Sequence, residues 1–334
     1  MNDLLKQLTE TWGPSGYEHR VRALIQQHAA PYADEIRTDP LGNLICRVGT
    51  GGKKVLIAAH MDEIGMIATF IEPKSGYLRF TPVGGLLQST LYGARVRFED
   101  GTLGVIGVHD AWGASRTTLG DYDTFFIDVS LGNGHGNSGT IREGSPAVFE
   151  RPLEERGTRW IGKALDDRIG CAVALETMKR LNKQTPNELY FVFTVQEEVG
   201  LRGARTAAYT VDPDVAIALD VTSTGDLAKN EKMAVRLGGG AAIKLHDTGL
   251  VVPPAVRDWM IARAEADGIP YQRELLTLGS TDAAAAQTAR GGVPSGCISI
   301  PCRYVHTTSE TVDKGDVEAC VKLLTGLTGN SISL

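Results

Sequence analysis

The sequence predicts an α/β protein in which a mixed sheet carries helices on both faces and a β-rich domain is inserted part-way along. Three observations predict this. Short apolar runs, compatible with buried strands, alternate with segments of helical periodicity. The texture changes between about residues 65 and 161, where short alternating strands replace helices. Polar residues able to do chemistry then cluster just after the apolar runs, where open α/β sheets hold their ligands.

Taken in order, the first 30 residues read as an amphipathic helix, a Gly13-Pro14-Ser15-Gly16 turn and a second helix opening near Tyr17-Glu18. Val55 to Ala59 reads as a buried strand ending at His60. Val96 to Glu99, an Asp100-Gly101 turn and Thr102 to Val108 form a hairpin pattern. Residues 78–84, 125–131 and 145–149 read as further short strands. Helical periodicity returns over Asp166 to Leu181, with Asp166 or Asp167 as N-cap. Leu189 to Val195, Val215 to Leu219 and Gly296 to Ile300 read as buried strands, with a crossover helix over the small residues Gly203 to Ala208. The expected division is residues 1–64 and 162–334 as one domain and 65–161 as the insert.

Bulk properties narrow the function. The 334 residues are 42% hydrophobic and 22% charged, with a net charge of −6, so no basic surplus points to nucleic acid. No apolar run approaches a membrane span, and Met1 to Lys6 lacks the pattern of a signal peptide. Cys46, Cys171, Cys297, Cys302 and Cys320 have no disulfide spacing, and the expected location is cytoplasmic.

The candidate site gathers His60, Asp62, Asp166, Glu197, Glu198, Asp220 and His306. Histidine nitrogen and carboxylate oxygen are the donors that catalytic zinc or cobalt requires. One histidine each from His60 and His306, one terminal carboxylate each from Glu198 and Asp220, and a bridging carboxylate from Asp166 would suit two metals. His60 and Asp62, at i and i+2 of an extended segment, share a face, so Asp62 can hold the other imidazole nitrogen. Each residue alone also has an ordinary reading. The histidines can be structural, Asp166-Asp167 can simply cap a helix, and Glu197-Glu198 can be a solvated loop. The joint pattern at these element boundaries is what favours metal.

With its surrounding strings, the sequence resembles the family forty-two metallo-aminopeptidases, the self-compartmentalising TET-type enzymes, some of whose relatives carry cellulase or endoglucanase labels. The resemblance runs through Gly13-Pro14-Ser15-Gly16-Tyr17-Glu18, Ala59-His60-Met61-Asp62-Glu63-Ile64-Gly65 and Tyr92-Gly93-Ala94-Arg95-Val96. It continues through Gly162-Lys163-Ala164-Leu165-Asp166-Asp167-Arg168, Val195-Gln196-Glu197-Glu198-Val199-Gly200-Leu201-Arg202-Gly203-Ala204, Ser280-Thr281-Asp282-Ala283 and Ile300 to Thr307. It implies hydrolysis of N-terminal residues from peptides. His60, Asp166, Glu198, Asp220 and His306 then fall on metal ligands for two zinc or cobalt ions, Glu197 on the catalytic base and Asp62 on the group orienting His60. It also implies that the insert mediates dimerisation, and that subunits assemble as dimers or tetrahedral dodecamers. The stretch after Asp220 and the loose Leu237-Gly238-Gly239-Gly240 segment depart from the family pattern. The glycine run lacks the Lys-Ser/Thr of a phosphate loop and reads as a turn or close backbone approach. Lys244, His246, Asp247 and Arg303 read as surface groups, with the cleft margin as the alternative, and His19, His28, His109 and His135 receive no role. A two-metal amidase or deacylase, a non-catalytic metal-stabilised protein and a glycosidase are the competing functions.

Overall fold

A computed structural model describes residues 1–109, 121–129, 140–227 and 232–334. His135 and residues 130–131 of one predicted strand lie outside that set. The architecture is the predicted one: a large mixed sheet between helical layers, and a separate small barrel.

The large sheet forms because its central strands are apolar on both faces. In Lys54–His60, Val55, Ile57 and Ala59 join the main core, while Leu56 and Ala58 join a second cluster on the opposite face. Side chains alternate along a strand, so such a run can be buried only between two layers. One layer includes Leu165–Leu181 and Lys314–Thr328, and the other Arg202–Val211 and Asp282–Gln287. Strand Lys54–His60 lies parallel between Glu188–Thr194 and Val215–Thr222, and the latter runs parallel to Ser295–Arg303. Thr194 faces His60 and Asp220 faces Ser299 in register. The carboxyl ends of these strands therefore open on one crevice.

Between them, six antiparallel strands from Gly65–Ile71 to Pro146–Phe149 close into a barrel with its own apolar core, including Met66, Phe98, Ile127 and Phe149. The predicted hairpin is present, with Val96 opposite Gly104. Glu154–Arg156 then pairs with Arg159–Gly162, which returns the chain to the large sheet by pairing with Glu310–Asp313.

Arg168 ties the N-terminal segment to this frame. It is completely buried, and its guanidinium donates to the carbonyls of Leu8 (2.5 Å), Thr11 (3.0 Å) and Gly13 (3.1 Å) and to Glu63 (3.3 Å). Lys163, also buried, donates to the other Glu63 oxygen at 2.6 Å. Removing one partner of a buried ion network leaves charge and carbonyls unpaired, so Arg168→Met is expected to cost about 3–5 kcal/mol. Denaturant melts would check this, and a loss below about 1 kcal/mol would show that the network carries little.

Candidate metal and catalytic site

The crevice brings all seven sequence-predicted residues together. Asp166 lies at its centre. One of its carboxylate oxygens is 3.0 Å from His60 Nε2, and the other is 3.4 Å from His306 Nε2. On the His60 side, Asp220 Oδ1 and Glu197 Oε2 lie 4.0 and 3.9 Å from the same Nε2. On the His306 side, Glu198 Oε2 lies 3.2 Å from Nε2. Asp166 therefore separates two half-sites, His60 with Asp220 and His306 with Glu198.

Local folding supplies these positions. Asp166 and Asp167 precede the regular part of their helix, with extended and bridge-like backbone angles, and the peptide bond between them is cis. Asp167 serves as the cap, accepting the Gly170 N–H at 3.0 Å and the His60 N–H at 3.2 Å. Although Asp167 is near enough to His60 and Asp220 to form another donor group, its two oxygens are already engaged by backbone. Asp166 is thereby left to face the crevice. His60 Nδ1 lies 3.2 Å from the Asp62 carbonyl and 3.4 Å from its carboxylate. His306 Nδ1 lies 2.9 Å from the Gly85 carbonyl. With Nδ1 engaged in this way, Nε2 is the atom that each imidazole turns toward Asp166. The Gly85 contact requires glycine: a Cβ there would sit 2.7 Å from the imidazole. Gly85 follows a barrel strand, so the insert itself orients one of the histidines.

Electrostatics point the same way. Among the described residues no Lys or Arg pairs with Asp166, Glu197, Glu198 or Asp220. Burial and then neighbouring acids push Asp220 well above the usual carboxylate range. Glu197 is also raised well above it, chiefly by burial, with Asp220, Asp282 and Glu198 adding to the effect. Burial lowers the His60 pKa, but Glu197, Asp166 and Asp62 outweigh it and hold the imidazole well above its ordinary value. Glu198 Oε1 is buried without a hydrogen-bond partner. Clustered carboxylates in so little water are stable only when protonated or when neutralised by cations. The donor set, imidazole and carboxylate with an orphaned oxygen, fits divalent ions such as zinc.

Several participants were missed by sequence reasoning. Glu310 accepts the N–H groups of Asp166 (3.0 Å) and His306 (2.9 Å), and burial raises it to about 8. Asp282 accepts the Thr194 hydroxyl at 2.6 Å behind the cluster. Ser15 donates to Asp62 at 2.6 Å, and Asp62 also accepts the N–H groups of Glu197 (3.1 Å) and Glu198 (3.2 Å). Glu18 accepts the N–H of Gln196 at 3.0 Å and that of Gly16 at 2.7 Å. The only sequence signal for Ser15, Glu18 and Asp282 was membership of the Gly13–Glu18 and Ser280–Ala283 strings, and Glu310 had none. Lys244 and Asp247 correct the surface reading. Both are buried, and Lys244 pairs with Glu274 at 2.5 Å because it must be neutralised in the core. His246 is exposed, and Arg303 is bound to Asp226 at 2.6 Å. The glycine run is a close backbone approach: Gly238 and Gly240 each donate an N–H to Asp316 at 2.7 Å.

Comparison with known proteins identifies the group to which this geometry belongs. The profile of the M42 glutamyl aminopeptidase family matches residues 42–323. The chain belongs to the M42 aminopeptidase family. A lysyl aminopeptidase of Pyrococcus furiosus is 36% identical over 340 residues, covering 97% of this chain and 96% of the relative. The structure of an aminopeptidase from Desulfurococcus kamchatkensis superposes with a TM-score of 0.91 at 38% identity, covering 98% of this chain and 94% of that one. The TET1 peptidase of Pyrococcus horikoshii, described as assembling into a tetrahedron or a large octahedral shell, gives 0.86 at 32% identity and 98% coverage of both. M42 members are peptidases, so the crevice is read as the site of a peptide hydrolase.

Gln196 has φ +56°, a left-handed conformation that costs a non-glycine residue on the order of 1–2 kcal/mol. The Glu18 carboxylate holds its N–H in that conformation, immediately before Glu197. Glu18→Ala is expected to lower kcat about tenfold or more with KM little changed, and Gln196→Gly in the same chain to restore part of the loss. Steady-state kinetics on the single and double variants check this; a double variant no better than Glu18→Ala would contradict it.

Proposed function

We propose that this chain is a dinuclear metallo-aminopeptidase that removes N-terminal residues from peptides, with Glu197 as general base. The observation that carries the reading is the convergence of two imidazole Nε2 atoms on the two oxygens of the single buried carboxylate Asp166. His60 and Asp220 would hold one cation, His306 and Glu198 the other, and Asp166 both; zinc or cobalt fits these donors. When bound, such ions supply Lewis acidity, polarising a scissile carbonyl and making water a nucleophile near neutral pH.

The chain's own residues do the rest. Asp62 fixes the tautomer of His60, so that its Nε2 faces the cluster. Glu197 reaches the cavity but lies farther from His60 Nε2 than Asp166 does, which leaves it free to exchange protons. Its raised proton affinity suits taking a proton from attacking water at Oε and delivering it to the leaving amine nitrogen. The surrounding acids favour a substrate with a free amino group. This requirement separates an aminopeptidase from a deacylase, which would accept N-acylated substrates.

The proposal extends to assembly and location. Residues 65–161 would form the inserted unit through which two copies pair, with dimers building a tetrahedral dodecamer; a neighbour described as a dodecamer and another described as assembling into a tetrahedron or a large octahedral shell support such assembly. The five cysteines are all buried free thiols, which suits a reducing cytoplasm. Among the described residues no helix is long and apolar enough to cross a membrane.

Glu197→Gln is expected to keep its metal content while losing about 10²–10⁴-fold in kcat, whereas Asp166→Ala is expected to lose both ions. Elemental analysis of refilled protein alongside kinetics on an aminoacyl amide tests both. Near-normal turnover of metal-loaded Glu197→Gln would remove Glu197 from the role.

A further inference from the structure

We infer that the first residue accepted by this site carries a neutral, apolar side chain of about leucine or methionine size, in preference to an acidic or basic one. The inference rests on the aminopeptidase reading and specifies its substrate class. It departs from both the glutamyl description of the family and the lysyl description of the P. furiosus relative.

The site opens into a cavity of about 650 Å³. Among the described residues, its charged lining consists only of Asp166, Glu197, Glu198, Asp220 and His306, which are all committed to the proposed cation and proton chemistry. The remaining wall is built from Leu201, Val221, Met233, Leu276, Leu278 and Val305, interspersed with threonine and serine hydroxyls. An N-terminal amine that approaches the carboxylate cluster carries its Cα one bond away. We seat the first side chain against the wall next to Asp220, beginning at Val221 and Thr222, which line the same cavity.

Two basic groups beside this wall, Lys244 and Arg303, are already paired. Thr222 donates its hydroxyl to Glu274 at 2.7 Å, and Glu274 pairs with Lys244 at 2.5 Å, both fully buried, with Asp247 3.6 Å from the same ammonium. The wall behind Thr222 thus backs onto an ion cluster whose ammonium, Lys244, already faces both Glu274 and Asp247. Arg303 is held by both oxygens of Asp226, at 3.2 and 2.6 Å. A glutamate side chain entering here would lose water, and no Lys or Arg stands among the described lining residues to receive it. Among the described residues that line the cavity, a lysine side chain would meet no carboxylate outside the proposed catalytic cluster. Charged groups buried without partners are strongly disfavoured, while each methylene placed against apolar wall is favoured.

The test uses full-length protein, chelated and refilled with zinc or cobalt, on the p-nitroanilides of Leu, Met, Ala, Glu and Lys. Leu and Met are expected to exceed Glu and Lys by about 100-fold in kcat/KM, and Ala by about tenfold. Glu or Lys turned over as well as Leu would overturn the assignment. In parallel, free leucine, glutamate and lysine are titrated against the refilled protein by thermal shift, with leucine expected to raise Tm most. If no amide is cleaved but leucine still binds best, the aminopeptidase reading fails and the pocket assignment stands. Absence of both turnover and any binding preference overturns it. Leu276→Arg supplies the missing cation and is expected to raise the Glu:Leu ratio of kcat/KM, or of binding, at least about tenfold; an unchanged ratio counts against the pocket.

Discussion

The structure depends on one constraint: four carboxylates and two imidazoles share a buried crevice with no Lys or Arg paired to them among the described residues. In water such groups would separate; at the end of a parallel sheet they cannot. The burial of Glu197 and Asp220 raises their proton affinity, and the acids in turn raise that of His60. A cluster of this kind must be balanced by protons or by cations, and Asp166, between the two histidines, is the group that both of the proposed cations would share.

Much of the surrounding architecture holds that cluster in place. Three successive N–H groups, those of Gln196, Glu197 and Glu198, point at two carboxylates from remote segments, Glu18 and Asp62. Asp62 is buried, which alone would push it up, but hydrogen bonds from His60, Ser15 and Glu197 hold it below the ordinary range and keep it charged. Glu310 bridges the backbones of Asp166 and His306. The barrel contributes the Gly85 carbonyl, which fixes the far imidazole. The inserted domain is therefore part of the site's support as well as a separate fold. Glu18, Asp62, Glu310 and Gly85 act by positioning, through groups that themselves face the cavity.

The sheet was readable because each central strand announced itself as a short apolar run, and such runs are buried on both faces. The candidate residues that converge in the crevice were readable for a related reason: His60 and Glu197-Glu198 close or follow such runs, and Asp220 falls near the carboxyl end of another. Asp166-Asp167 was ambiguous between cap and ligand because the two neighbours divide those tasks, with Asp167 capping and Asp166 facing the crevice. What could not be read was contact across long sequence separation. Nothing in the sequence places Gly85 against His306, or Glu18 against Gln196. Lys244 and Asp247 looked like surface residues because charge normally implies solvent, and only the fold supplies the mutual neutralisation that lets them be buried.

The central claim is that Asp166 lies between two cations. Anomalous diffraction from crystals of the zinc-loaded protein, recorded at the zinc edge, tests it most directly. Two peaks per chain are expected, one by His60 and Asp220 and one by His306 and Glu198, with the Asp166 carboxylate reaching both. A single peak, or peaks that leave Asp166 uncoordinated, would contradict the account.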